Sequence, residues 1–222
     1  TMFHPYEGEA GFNTLNTKEK VKNFFEKYYP TLLPYIPHLY EEYFENPVGT
    51  LGTIKCYPWQ AYGKALIMGD AAHAIVPFYG QGMNAGFEDI YELDTLMAAH
   101  GDDWEGIFTT YQKNRKPNAD AIAELSYRNF VEMSSKTADS KFLLQKKIEK
   151  RFAQKHPKKW IPVYSRVTFS DRPYAEALAL GDKQEALMAK IMDTPNIETL
   201  WDSLEIENRM LSLLDESPIG IY

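Results

Sequence analysis

Apolar residues recur at helical spacing along most of this chain. Val21, Phe24, Phe25 and Tyr28 share one face of a predicted helix, with Asn16 or Thr17 placed to cap it. Pro30, Pro34 and Pro37 then cut the chain into short turns, and a second helix is predicted over 38–44. Residues 52–57 alternate as a strand does, and 65–68 form a brief apolar run of the kind a buried strand shows. A helix is predicted from Gly82 to about Ala99; Phe87, Ile90, Leu93 and Met97 give it a largely apolar face, and Gly101 closes it. Trp104, Ile107, Phe108 and Tyr111 make a further helical stripe, interrupted at Pro117. Helices follow over 118–133 and 140–154, then an extended or irregular piece over 160–169. Two amphipathic helices, 175–193 and 197–214, are joined at T-P-N. The opening residues, 1–14, are rich in Gly, Pro and aromatics and read as the remainder of a broken strand. The pattern predicts an α+β fold that is mostly helical, divided into residues 1–100 and a helical region over 101–222.

Composition narrows the classes. At 222 residues and 44% hydrophobic content, the chain can form a real core. The net charge of −7, spread along the sequence, argues against nucleic acid as a partner. The single cysteine, Cys56, excludes an internal disulfide framework and a cysteine-built zinc site, and fits a reducing cytoplasm. No apolar run approaches a membrane span and no signal peptide is visible. His4, His38, His100 and His156 are scattered without metal-ligand spacing, so no metal is expected. No G-x-S-x-G is present for serine hydrolysis. The basic run K-K-I-E-K-R near residue 150 complements its own helix dipole and needs no anionic partner.

The chemistry concentrates in residues 65–89, A-L-I-M-G-D-A-A-H-A-I-V-P-F-Y-G-Q-G-M-N-A-G-F-E-D. Gly69 and Asp70 follow the apolar run, where open α/β sheets place ligand-facing groups. Pro77 fixes a backbone dihedral, and Gly80 and Gly82 let a flat ligand approach the main chain. The helix that follows points the N–H groups of Gly82, Met83 and Asn84 outward, where its dipole favours negative charge. A strand-end carboxylate and an open helix start suit a ligand with hydroxyls and a delocalised anion, as a reduced flavin has. A lone Gly-x-Gly is more often a tight connection without a ligand; the whole run is more specific. His73 reads as a structural hydrogen-bonder.

The run G-D-A-A-H-x-x-x-P-x-x-G-Q-G-M-N-x-G-x-x-D, residues 69–89, resembles the second FAD-binding motif of the flavin-dependent aromatic hydroxylases, the p-hydroxybenzoate hydroxylase class. Within that class the wording P-F-Y-G-Q-G-M-N-A-G-F-E-D is nearest to the members that hydroxylate L-kynurenine. R-N-F-V-E-M (128–133) and W-I-P-V-Y-S-x-V-T-F-S (160–170) resemble those members' substrate-contact segments, and F-H-P-Y-E-G-E-A-G-F resembles a strand and loop over the pocket. The family opens with a G-x-G-x-x-G unit that binds the ADP half of FAD, and none occurs here. The expectation is a C-terminal half lacking the N-terminal Rossmann βαβ unit and the arginine that the family carries there for substrate. Eukaryotic members end in a membrane anchor; L-L-D-E-S-P-I-G-I-Y is too short and polar for one, so a soluble, bacterial-type form is expected.

The resemblance implies FAD as cofactor, NADPH as co-substrate, and O2 and an aromatic amino acid as reactants. The cofactor residues it implies are Gly69, Asp70, Pro77, Gly80, Gln81, Gly82, Met83 and Asn84; the substrate residues are Pro77, Phe78, Gln81, Asn129, Glu132, Met133 and Tyr164, and no side chain is assigned as acid or base. On the residues themselves, Leu125, Asn129, Glu132 and Met133 share one helix face. Buried polar groups there need partners, and an amino acid ligand or the local backbone could supply them. Another flavin hydroxylase, or a non-catalytic helical binding module that keeps the motif as scaffold, stays open as an alternative. An exposed strand edge and apolar surface offer a route to a homodimer.

Overall fold

The structure is a computed structural model and describes residues 2–216. These are mostly helical, with one small two-stranded sheet. They form two compact units, the first ending at Leu51 and the second beginning at Gly52. The expected division near residue 100 falls inside the second unit, between two helices that pack on each other.

In the first unit, α1 (Lys18–Tyr28) begins at Thr17, whose hydroxyl accepts the Lys20 N–H at 3.3 Å. The proline-cut segment makes turns and one 3-10 turn, and α2 (Leu39–Glu45) follows. Val21, Phe24, Phe25, Leu15 and Leu39 form the core. The broken strand expected over 1–14 is not a strand among the described residues. Phe12 and Asn13 N–H groups instead bond back to Pro5 and Tyr6 carbonyls, so the segment satisfies its own backbone as a loop. Thr1 and residues 217–222, the tail read as too polar for an anchor, lie outside the described residues.

The second unit opens with a correction. Residues 52–57 form no strand; Ile54 donates one hydrogen bond to Ala74 O at 2.8 Å, and no ladder follows. Alternation alone cannot make a strand when no neighbour presents a row of backbone groups. The hairpin lies just beyond: β1 (Gln60–Ala61) pairs antiparallel with β2 (Ala65–Leu66), so the run expected over 65–68 is a strand only at its start. Gly63, at φ 61°, permits the turn between them.

After β2 come the short α3 (Asp70–His73), a 3-10 turn at Pro77–Tyr79, and α4 (Gly82–His100), which starts and stops where the sequence placed it. Of its apolar stripe, however, only Leu93 packs against the core. Phe87 and Ile90 are 62% and 58% exposed, while Ala85, Asp89 and Leu96 are buried. The small Ala85 and the hydrogen-bonded Asp89 sit on the side that meets the next helix.

That helix, α5 (Trp104–Val131), runs unbroken through Pro117, where an interruption was expected. Proline removes one backbone bond, at a cost of about 3 kcal/mol. Packing of α5 against α4 and against the later helix α8 (Tyr174–Met192) outweighs it, and Asn118 Nδ2 adds a bond to Asn114 O. The end of α5 widens into a π-helical turn at Glu132–Lys136. Next is α6 (Ser140–Lys155), then α7 (Val163–Phe169) where an irregular piece was expected. Its β-branched Val163, Val167 and Thr168 disfavour helix, but Val167 is buried in one cluster with Ile122 and Leu125 of α5, and that packing prevails. The last expected helix is two: α9 (Ile197–Leu200) and α10 (Leu204–Glu216), the latter restarted by Ser203 Oγ accepting the Ile206 N–H. A core of Ile148, Phe152, Trp160, Met188, Ile191 and Met210 joins α6, α8 and α10. Among the described residues no helix is long and apolar enough to cross a membrane.

Candidate functional site

The site grows from Asp89. This carboxylate is fully buried on α4 and every one of its bonds has a purpose. Oδ2 accepts the Gly69 N–H at 2.9 Å and lies 2.6 Å from His73 Nε2; Oδ1 accepts from Arg115 Nε at 2.7 Å. Burial alone would push its carboxyl upward. The bonds from His73, Arg115 and Gly69 outweigh that and hold it below the usual aspartate range. Arg115 also reaches Glu88 at 2.8 Å and the Ala85 carbonyl at 3.1 Å. Burial would lower Arg115, but the two carboxylates raise it above its ordinary value. Trp59 packs on His73 and Tyr111, and its backbone N–H donates to Gln112 Oε1 of α5 at 3.0 Å. The network therefore ties the hairpin, the Gly69 turn and the first turns of α4 to one long helix.

The expected cofactor residues line the open side of this frame. Asp70 is exposed, and no side chain among the described residues bonds to it. Gly69 and Gly80 have φ 58° and 68°, a region that suits glycine. A Cβ at either would meet nothing within 4 Å, and at Gly82 it would meet only Ile75, at 3.8 Å. The start of α4 has no side-chain cap, and Met83 and Asn84 are exposed there. Uncapped N–H groups beside open glycine backbone, with a free carboxylate preceding them in the chain, fit a flat, hydroxyl-bearing anion such as FAD. Gln81 is buried instead: its Oε1 accepts from Asn84 Nδ2 at 2.8 Å and from the Tyr174 hydroxyl at 3.1 Å.

The expected substrate residues gather at the other side of the Pro77–Tyr79 turn, but not all are free. Asn129 Nδ2 donates to the Phe78 carbonyl at 2.6 Å, which leaves Oδ1 to accept. Phe78 packs on Phe130, and Tyr79 stacks on Tyr164 with ring centroids 5.4 Å apart. Burial, with help from Glu132 and Tyr164, pushes the Tyr79 hydroxyl up to about 12, so it stays protonated at neutral pH. Glu132 lies 3.6 Å from Lys146 and already has a counter-charge. Met133 and Tyr164 are just over half exposed, so the pocket they were expected to help line is open on their side.

Sequence reading missed Asp89, Arg115 and Tyr174 as site-shaping residues. A signal existed for two of them. Tyr111, Arg115, Ala119 and Ile122 fall at one helical face, and a cation on a buried stripe calls for a buried anion. Tyr174, 93 residues from Gln81, left no such trace.

Residues 52–126, the segment that holds the hairpin, the glycine turns and Asp89, match the FAD binding domain family. The wider likeness is to kynurenine 3-monooxygenase. The chain is 60% identical to that of Flavobacterium johnsoniae and 59% to that of Flavobacterium psychrophilum, each over 97% of this chain and 48% of the relative. It is 41% identical to that of Dictyostelium discoideum over 90% of this chain and 47% of the relative. The resemblance read from the sequence is borne out. The chain spans about half the length of the curated relatives it matches.

Proposed function

We propose that this chain is the C-terminal half of an FAD- and NADPH-dependent monooxygenase that hydroxylates L-kynurenine to 3-hydroxykynurenine. It would act in tryptophan breakdown, with the Rossmann unit in the other half. The observation that carries this reading is 60% identity to a kynurenine 3-monooxygenase over 97% of the chain. The open glycine backbone and uncapped start of α4 support the cofactor assignment. FAD, reduced by NADPH, supplies the oxygen-transferring chemistry when bound.

The chain's own part is position and field. The exposed Asp70 carboxylate would accept hydrogen bonds from the ribityl hydroxyls. The amides of Gly82, Met83 and Asn84, at an uncapped helix start, would stabilise negative charge on a bound flavin. Pro77, Phe78 and Met133 line the substrate ring. Asn129 Oδ1 and the Tyr164 hydroxyl hold the amino acid end, while Glu132, already facing Lys146, contributes charge at the rim. The ring pairs Phe78–Phe130 and Tyr79–Tyr164 give the substrate end apolar surface. The single cysteine fits a cytoplasmic enzyme, and the exposed apolar face of α4 would be covered in the whole protein or in a homodimer.

The test joins this chain to the unmatched half of the Flavobacterium johnsoniae relative. The purified chimera is expected to be yellow and to oxidise NADPH faster with L-kynurenine than with other aromatics. A colourless chimera overturns the reading in favour of a non-catalytic helical module. A yellow one stimulated by a different aromatic turns it toward another flavin hydroxylase.

A further inference from the structure

The Gln81 side chain is set by a residue far from the motif. Tyr174, the first residue of α8, is 4% exposed, and its hydroxyl lies 3.1 Å from Gln81 Oε1. Asn84 Nδ2 approaches the same oxygen at 2.8 Å. A glutamine oxygen has two lone pairs, and here both have donors. Glu88 is the rival acceptor for the Tyr174 proton, but Arg115 holds Glu88 at 2.8 Å. The hydroxyl itself stays protonated, because burial first and the Glu88 charge second push it well above the ordinary tyrosine value. What Gln81 has left to offer is its Nε2 pair of N–H donors. It offers them from the residue that precedes α4, between the two glycines of the open backbone.

We propose that Tyr174 is a positioning residue: it turns the Gln81 amide so that an N–H donor faces a carbonyl acceptor on the bound ligand. The proposal rests on the functional reading above, which supplies two such acceptors, a ring carbonyl of FAD and the ketone of L-kynurenine. Without the tyrosine hydroxyl the amide oxygen keeps only the donor on exposed Asn84, and the amide turns over more readily to present its oxygen to that carbonyl, acceptor against acceptor. The tyrosine touches neither ligand and acts only through the glutamine.

The experiment uses the chimera with the Flavobacterium johnsoniae half. It compares the unchanged protein with Tyr174→Phe, Gln81→Leu and the double variant. FAD affinity is read by flavin fluorescence, L-kynurenine affinity by the difference spectrum of the bound flavin, and folding by Tm. Tyr174→Phe and Gln81→Leu are each expected to raise the same dissociation constant about tenfold. The double variant should be no worse than either single one, the mark of two residues acting as one. A change in the FAD constant assigns the carbonyl to the flavin; a change in the L-kynurenine constant assigns it to the substrate. Gln81→Glu keeps an acceptor for Tyr174 and Asn84 but has no N–H, so its folded fraction should reproduce the loss, at a Tm lowered by the buried carboxylate, even if Tyr174→Phe folds poorly. Unchanged constants in Gln81→Glu, or single effects that multiply to about a hundredfold in the double variant, overturn the proposal. An unmodified chimera that retains no FAD overturns the functional reading, and this inference with it, before any substitution is made.

Discussion

Arg115 Nε donates to Asp89 Oδ1 at 2.7 Å inside the second unit, with the aspartate wholly removed from solvent. The pair joins α5 to α4, and through Asp89 Oδ2 it holds the Gly69 turn. Removing one partner breaks a buried pair and leaves the other charge with fewer partners, Asp89 with His73 and Gly69, Arg115 with Glu88, at a cost of up to about 3–5 kcal/mol. Arg115→Ala and Asp89→Ala should each lower unfolding free energy by that amount in urea titrations of the chain. An effect below about 1 kcal/mol in both would mean that the pair does not hold the unit together.

The same pair sets an acid limit. Asp89 is held below its unfolded value, so its ionised form adds stability that is fully present above the usual aspartate range, near pH 3.9, and is lost as pH falls through the folded value. The stability difference between the unchanged chain and Asp89→Asn should be flat from pH 7 to 5 and shrink below about pH 4. Urea melts across that range read it directly. A difference that declines already between pH 7 and 5 would point to another group.

The two faces of α4 should respond in opposite ways to truncation. Phe87→Ala, on the exposed stripe, is expected to change stability by less than about 0.5 kcal/mol, whereas Leu96→Ala, on the buried side, should cost about 2–5 kcal/mol. Equal losses at the two sites would contradict the orientation of the helix.

These contrasts show what the sequence made legible. The bounds of α4 could be read because a glycine at each end marks them, and those of α1 because a capping residue and apolar spacing agree. Which side of α4 is buried could not. Hydrophobic spacing pointed to Phe87 and Ile90, but the decisive contact is a hydrogen-bonded Asp89, whose partners lie 16 to 26 residues away. Pro117 and Val167 show the same limit in the backbone: local preference argued against helix, and burial of the neighbouring side chains decided for it. The motif residues were legible because they are contiguous; the frame beneath them draws on α5 and α8, which no short pattern joins.

Asp70 offers a clean test of the proposed cofactor site because no side chain among the described residues bonds to it. In the chimera, Asp70→Ala should weaken FAD binding by about tenfold or more, as expected for lost hydrogen bonds to a charged acceptor, while Tm without FAD stays unchanged. An unaltered FAD dissociation constant would remove Asp70 from the site.

At the substrate end, Asn129→Ala in the chimera should weaken L-kynurenine binding by about tenfold with FAD content unchanged, measured by spectral titration. Unchanged substrate affinity would count against the assignment of Asn129.

Arg115 and Asn129 sit on a single rod, α5, 14 residues apart, or about 21 Å of helical rise. The Asp89 network and the amino acid contact proposed for Asn129 would thus share one ruler, and their spacing could not drift independently. A single residue inserted between them would swing Asn129 by about 100° around the axis while Arg115 stayed in register, so length variation in this family should be excluded from that interval and confined to loops.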